Sequence, residues 1–147
     1  MKVLVTGATG FLGRAVVAAA VDAGLEVRAG CRRADAEVGG APVVRCDVDD
    51  PETLAEAVRG VAAVFHLAGR VSRDPKQSAQ MHRVHVAGTR NLLEAMTAAG
   101  VRKLVLASSS GTTAVSAEPT EPMTERHEVD LEIIGRWPYY LSKLYQE

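Results

Sequence analysis

Short β-branched runs alternate along the chain with stretches in which apolar residues return every third or fourth position. "KVLVT" (2–6) has the continuous apolar character of a strand covered on both faces. From Phe11 to Ala23 the apolar residues recur at helical spacing, and Gly24 supplies a stop. "EVRAGCR" (26–32) and "PVVRCDV" (42–48) predict a second and a third strand. Asp50 is placed to cap a helix that opens at Pro51 and runs to about Arg59, before Gly60. "AAVFHLA" (62–68) predicts a fourth strand, a long helix covers Gln80 to Ala99, and "RKLVLASS" (102–109) predicts a fifth strand. Thr112 to Trp137 is polar and rich in carboxylates, which predicts a long loop with a turn of helix, and Pro138 suits the first turn of a last helix. Strands alternating with helices imply right-handed crossovers and one doubly wound α/β domain built on a parallel sheet.

Within that framework "VTGATGFLGR" (5–14) carries the first chemical signal. Gly7, Gly10 and Gly13 fall three apart, after the first strand and at the opening of the first helix. Ligands of such sheets bind beyond the carboxyl ends of the strands, and a helix N-terminus presents unpaired amides and partial positive charge to a phosphate. Gly7 would permit the tight turn, Gly10 would let a pyrophosphate approach the backbone, and Gly13 would let the helix pack against the sheet. A tight turn without a ligand is the alternative; the strand–turn–helix setting favours a nucleotide.

Composition narrows the field of partners. A formal net charge of −1 and no basic run offer no field for nucleic acid or an anionic membrane. "MKVLV" is too short an apolar run for a signal peptide, and no stretch approaches a membrane span. Two cysteines, Cys31 and Cys46, are too few for a disulfide framework, so the expectation is free thiols acting as small hydrophobes in a reducing cytoplasm.

"TGATGFLG" resembles the glycine motif of the extended short-chain dehydrogenase/reductase family, the NAD-dependent epimerase/dehydratase superfamily. "CDVDD" (46–50), "VFHLAG" (64–69), "HVAGTRNLLEA" (85–95), "KLVLASSSGT" (103–112) and "PYYLSK" (138–143) are similar to further motifs of that family, in the same order and across the whole chain. "LASSSGT", the arginines after the second strand and "RWPYYLSK" are most similar to the dihydroflavonol-reductase-like branch. The resemblance implies a Rossmann-type sheet in which Gly7, Gly10, Phe11, Leu12 and Gly13 meet the cofactor, Asp47 and Val48 meet its adenine, and Leu67, Ala68 and Gly69 flank it. It also implies that residues 1–147 are the dinucleotide-binding front of a longer protein, with later strands and a C-terminal substrate region still to come. The last helix, "YYLSKLYQE", accordingly carries no stop signal. The longer protein is expected to include the option of a homodimer. One departure stands out: family members usually carry Asn where this chain has His85.

Tyr139 and Lys143 stand four apart, so a helix presents them on one face. A phenol of ordinary acidity ionises near pH 10, and a lysine cation close by favours its phenolate. The resemblance gives Tyr139 the acid/base role, Lys143 the nicotinamide ribose, and Ser109, or alternatively Ser110, the substrate oxygen. Tyr140 is the rival tyrosine, at a spacing of three. His82 and His85 lie three apart on a helix with no third metal ligand placed by the sequence, and surface or cofactor-side packing is expected instead. His66, among apolar neighbours on a strand, reads as structural. Glu118, Glu121, Glu125, Glu128, Asp130 and Glu132 read as a solvated loop face.

At the end of the second strand an NAD-specific site would usually place a carboxylate, but here stand Gly30, Cys31, Arg32 and Arg33. Arginines can pair with a 2′-phosphate, so NADP is favoured over NAD, with Asp35 near enough to keep NAD in view. Released NADPH suits a net reductase acting on a small carbonyl or alcohol. An epimerase or dehydratase of nucleotide sugars retaining NAD, and a non-catalytic dinucleotide sensor, are the alternatives.

Overall fold

The computed structural model of the chain describes residues 1–33, 35–118 and 122–147; Glu121 of the acidic loop lies outside them. Strands β1 (Lys2–Thr6), β2 (Glu26–Cys31), β3 (Val43–Arg45), β4 (Ala63–His66) and β5 (Leu104–Leu106) form one parallel sheet in the order β3-β2-β1-β4-β5. The chain moves outward from β1 to β3, then returns to the other side of β1 for β4 and β5. Its topological switch point therefore lies between β1 and β4, and Thr6 is level with both Gly30 and His66 there.

Alternation along β1 divides the core. Val3 and Val5 face helix α1 (Phe11–Asp22) together with Val17, Val27 and Ala29. Leu4 faces the opposite layer, where Leu54 of α2 (Pro51–Ala57) and Leu92 and Met96 of a later helix close over Val64. Asp50 caps α2 as expected, accepting from the amides of Glu52 and Thr53. Among the described residues, no helix is long and apolar enough to cross a membrane.

The long helix differs from its expected form. Helical structure begins with a single turn at Pro75–Gln77, continues as α3 (Ser78–His82), widens into a π turn at Arg83–Ala87, and resumes as α4 (Gly88–Ala98). A π turn adds a residue to the i→i+4 ladder, which a 3.6-residue pattern does not register. His85 sits inside that turn, 1% exposed, while its neighbours His82 and Arg83 face outward. The strands are also shorter than their apolar runs. β4 ends at His66 because the next two amides, Leu67 and Ala68, donate to the hydroxyl of Thr6. β3 gives way to a turn in which the Asp47 amide donates to Thr53.

Beyond β5 come short helices α5 (Ser110–Thr113) and α6 (Leu131–Ile134), then α7 (Pro138–Leu144). The polar stretch before Pro138 holds the expected turn of helix as α6, with Asp130 capping it through the amides of Glu132 and Ile133.

Candidate active site

The β1–α1 turn is built on close approach. Gly7 has φ +65°, and a Cβ there would meet the backbone of Leu67 and Ala68 at 2.8 Å. A Cβ at Gly13 would lie 2.2 Å from the Gly7 carbonyl oxygen, so the first turn of α1 rests directly on the glycine turn. Gly10 caps α1 with no side chain over its amides, and no acidic residue occupies the first turn. Those amides and the bare backbone fit the phosphates of a dinucleotide.

A cleft of about 280 Å³ opens beside this turn at the carboxyl ends of the strands. Of the residues the sequence pointed to, it is lined by Gly7, Gly10, Arg32, Asp47, Val48 and the run Leu67 to Gly69. Asn91 of α4 donates to the Val48 carbonyl at 2.9 Å and so fixes the third-strand wall. Phe11 and Leu12 project outward at the start of α1, Phe11 fully exposed. Arg33 is turned away and forms an exposed ion pair with Asp35 at 3.7 Å. Arg70 and Arg83, which the sequence reading did not single out, also line the cleft, and Arg83 pairs with Asp49 at 3.3 Å. Cys31 and Cys46 lie buried at the cleft's edge; burial raises the Cys31 thiol and pushes Cys46 up to about 12, which disfavours the thiolate form.

Ser109 stands at the start of α5, and Tyr139 and Lys143 lie on α7, which packs against α5. The Ser109 hydroxyl caps α5 by accepting from the Gly111 amide at 3.3 Å. Ser108 and Thr112 both reach the Glu147 carboxylate, Thr112 at 2.9 Å. Ser108, Ser109 and Ser110 share a second, more open hollow of about 580 Å³ with Glu125 and His127. Tyr139 meets the His85 ring edge-on at 5.9 Å between centroids. Tyr140 lies instead over Gly111, where a Cβ would come within 2.3 Å of its ring. Among the described residues, no hydrogen bond joins the Tyr139 phenol to Lys143 or Ser109.

Lys143 is 5% exposed, and its ammonium donates to the Ala107 carbonyl and the Gln146 side chain. Burial lowers its pKa from the ordinary lysine value, against the opposing pull of the Glu147 carboxylate. Behind it runs a buried polar chain. Thr6 accepts from two backbone amides, so its own proton goes to His66 Nδ1 at 2.7 Å. The neutral His66 ring therefore carries its proton on Nε2 and donates to Thr89 at 3.0 Å. Gln146 also donates to Thr89, at 2.8 Å, and turns its oxygen to Lys143. Burial, then the Lys143 ammonium and His85, hold the His66 pKa down to about 4. His66, expected among apolar neighbours, instead bonds through both ring nitrogens within this polar chain.

Comparison with known proteins gives this arrangement its relatives. The model of the NAD dependent epimerase/dehydratase family matches residues 3–147. The chain belongs to that family. It is 36% identical over 123 residues to the 2-alkyl-3-oxoalkanoate reductase of Stenotrophomonas maltophilia, covering 82% of this chain and 37% of that protein. It is 31% identical over 167 residues to dihydroflavonol 4-reductase of Zea mays, covering 99% of this chain and 46% of the reductase. A short-chain dehydrogenase/reductase superfamily protein from Agrobacterium tumefaciens, crystallised with bound NAD, matches the fold at a TM-score of 0.83 and 38% identity, over 99% of this chain and 43% of that one. The chain thus spans less than half the length of each of these epimerase/dehydratase-family relatives.

Thr89, Ser142 and Gln146 escaped the sequence reading. Each is buried and polar and bonds to a residue distant in the chain, so no local spacing marks those contacts. Their signal would have been a polar residue standing where the strand or helix pattern requires an apolar one.

Proposed function

We propose that residues 1–147 form the dinucleotide-binding front of a longer NADP-dependent reductase that transfers hydride between the nicotinamide and a small carbonyl or alcohol substrate. The observation that carries this reading is the cleft, in which the bare amides of α1 and the glycine turn open at the end of β2 onto Arg32. No carboxylate ends β2, and Asp35, four residues beyond it, is paired with Arg33. A guanidinium there suits a 2′-phosphate. Gly7 and Gly10 would hold the pyrophosphate, Asp47 and Val48 the adenine, and Leu67 to Gly69 the opposite wall. The cofactor, when bound, supplies the hydride acceptor or donor.

The protein's own part is the proton and the oxygen. Tyr139 exchanges a proton with the substrate oxygen, and the Ser109 hydroxyl holds that oxygen in reach. Lys143 spends two donors on Ala107 and Gln146, and an ammonium has three, so one is available to a ribose hydroxyl or the phenol.

The test is turnover by the full-length enzyme with a panel of aldehydes and ketones, following nicotinamide absorbance. One NADPH consumed per alcohol formed supports the reading. A retained nucleotide that turns over with no net consumption would make the protein an epimerase or dehydratase. Tighter binding of NADH than of NADPH would overturn the cofactor choice.

A further inference from the structure

Both ring nitrogens of His85 are engaged, and its surroundings are fully built. The ring is 1% exposed, inside the π turn between the cleft and α7. Its Nε2 lies 2.9 Å from the backbone N–H of Arg70, which can only donate, so Nε2 carries no proton. Burial, with the Lys143 ammonium as the second cause, lowers the ring's pKa to about 4 and keeps it neutral. The single proton therefore sits on Nδ1 and is donated to Ser142 Oγ at 2.8 Å. Ser142 in turn donates its own hydroxyl proton to the carbonyl of Tyr139, also at 2.8 Å. Three donors thus point one way, from the loop after β4, through the imidazole, to the backbone of the residue that bears the phenol. The same ring packs against the Tyr139 ring in a T-shaped arrangement at 76°.

A second observation marks the fit. A Cβ at Gly69 would stand 3.1 Å from His85 Nε2, so the ring sits close against that wall of the cleft and a side chain there would crowd it. Gly69 and Arg70 belong to the cleft that the dinucleotide would fill, whereas Ser142 and Tyr139 belong to α7.

We propose that His85 is a positioning residue that ties the wall of the dinucleotide cleft to the turn of α7 carrying Tyr139, setting the phenol's place relative to the bound cofactor. The inference rests on the reading of Tyr139 as the proton-exchanging group. Its energetic basis is geometric: misplacing a reacting group by about 1 Å can cost on the order of a hundredfold in rate.

The test uses the full-length enzyme. His85→Leu keeps volume but removes both bonds, and Ser142→Ala cuts the relay while leaving the histidine. Each should lower kcat by roughly tenfold or more with the KM for NADPH held within about threefold, and the double variant should fall no further. Nitrogen-15 spectra of the wild type should show a neutral ring protonated at Nδ1 and bare at Nε2. This last readout needs no substitution, so it stands if a variant fails to fold. Unchanged kcat, losses that multiply in the double variant, or a ring protonated at Nε2 would overturn the proposal. Tyr139→Phe run in parallel separates the two levels. If that variant keeps full activity, the reading of Tyr139 fails; if it is inactive while the His85 and Ser142 variants are normal, only the positioning role fails.

Discussion

Acid should destabilise this fold through two buried histidines well before the carboxylates respond. His66 and His85 are each 1% exposed, and each has a pKa lowered from 6.5 to about 4, burial being the larger cause. Both rings are held neutral by fixed donors: the Thr6 hydroxyl on His66 Nδ1 and the Arg70 amide on His85 Nε2. The unfolded chain takes up these protons near pH 6.5, whereas the folded chain refuses them until about pH 4. Between those values the unfolded state holds more protons, so stability is full above pH 6.5 and falls as pH drops toward 4. A gap of about 2.5 pH units corresponds to about 3.4 kcal/mol per histidine at the limit, of which roughly 2 kcal/mol develops between pH 7 and pH 5. The two together should remove roughly 4 kcal/mol over that interval, a large share of an ordinary domain's stability. Urea unfolding at pH 7 and pH 5 measures the loss. The same pair of measurements on His85→Asn cancels every group common to both proteins and should show a pH loss smaller by roughly 2 kcal/mol. Parallel pH profiles for wild type and His85→Asn would refute the reasoning.

Other substitutions separate roles within the cleft. Arg32→Ala should weaken NADP binding and spare NAD, while Arg33→Ala, already paired with Asp35 in solvent, should change neither by more than about twofold; calorimetric titration with both nucleotides decides it. Gly13→Ala should cost on the order of 1–3 kcal/mol in urea unfolding, because its Cβ would strike the Gly7 carbonyl. Gly10→Val, whose Cβ would sit 3.2 Å from the Gly7 carbonyl and need only a small backbone shift, should fold and yet lose nucleotide binding, since the branched side chain would stand over the α1 amides. Should Gly10→Val bind at full affinity, the turn would be structural only.

Much of this was legible in the residues themselves. The alternation of apolar runs and helical spacing placed five strands and the sheet's direction, and the Asp50–Pro51 pair placed a helix start to the residue. The glycine turn was legible because only close approach explains three glycines at a strand–helix junction. What escaped depends on contacts distant in sequence. Nothing near His85 announces that the Arg70 amide and Ser142 would claim its two nitrogens, and a π turn leaves the apolar period almost intact. Arg32 and Arg33 look equivalent as neighbours. The turn after Cys31 sends one into the cleft and the other to Asp35. Strand ends were overextended because a hydroxyl, that of Thr6, captures the amides that would have continued β4.

The central claim is that a phenol on α7 exchanges the proton while the β1–α1 turn holds the dinucleotide. Tyr139→Phe in the full-length enzyme tests it most directly, because it removes one oxygen and leaves the ring against His85 and Tyr140. The account predicts a fall in kcat of roughly 10²–10⁴-fold, with NADPH affinity by titration within about threefold of wild type. Turnover near the wild-type rate, or loss of nucleotide binding along with activity, would contradict it.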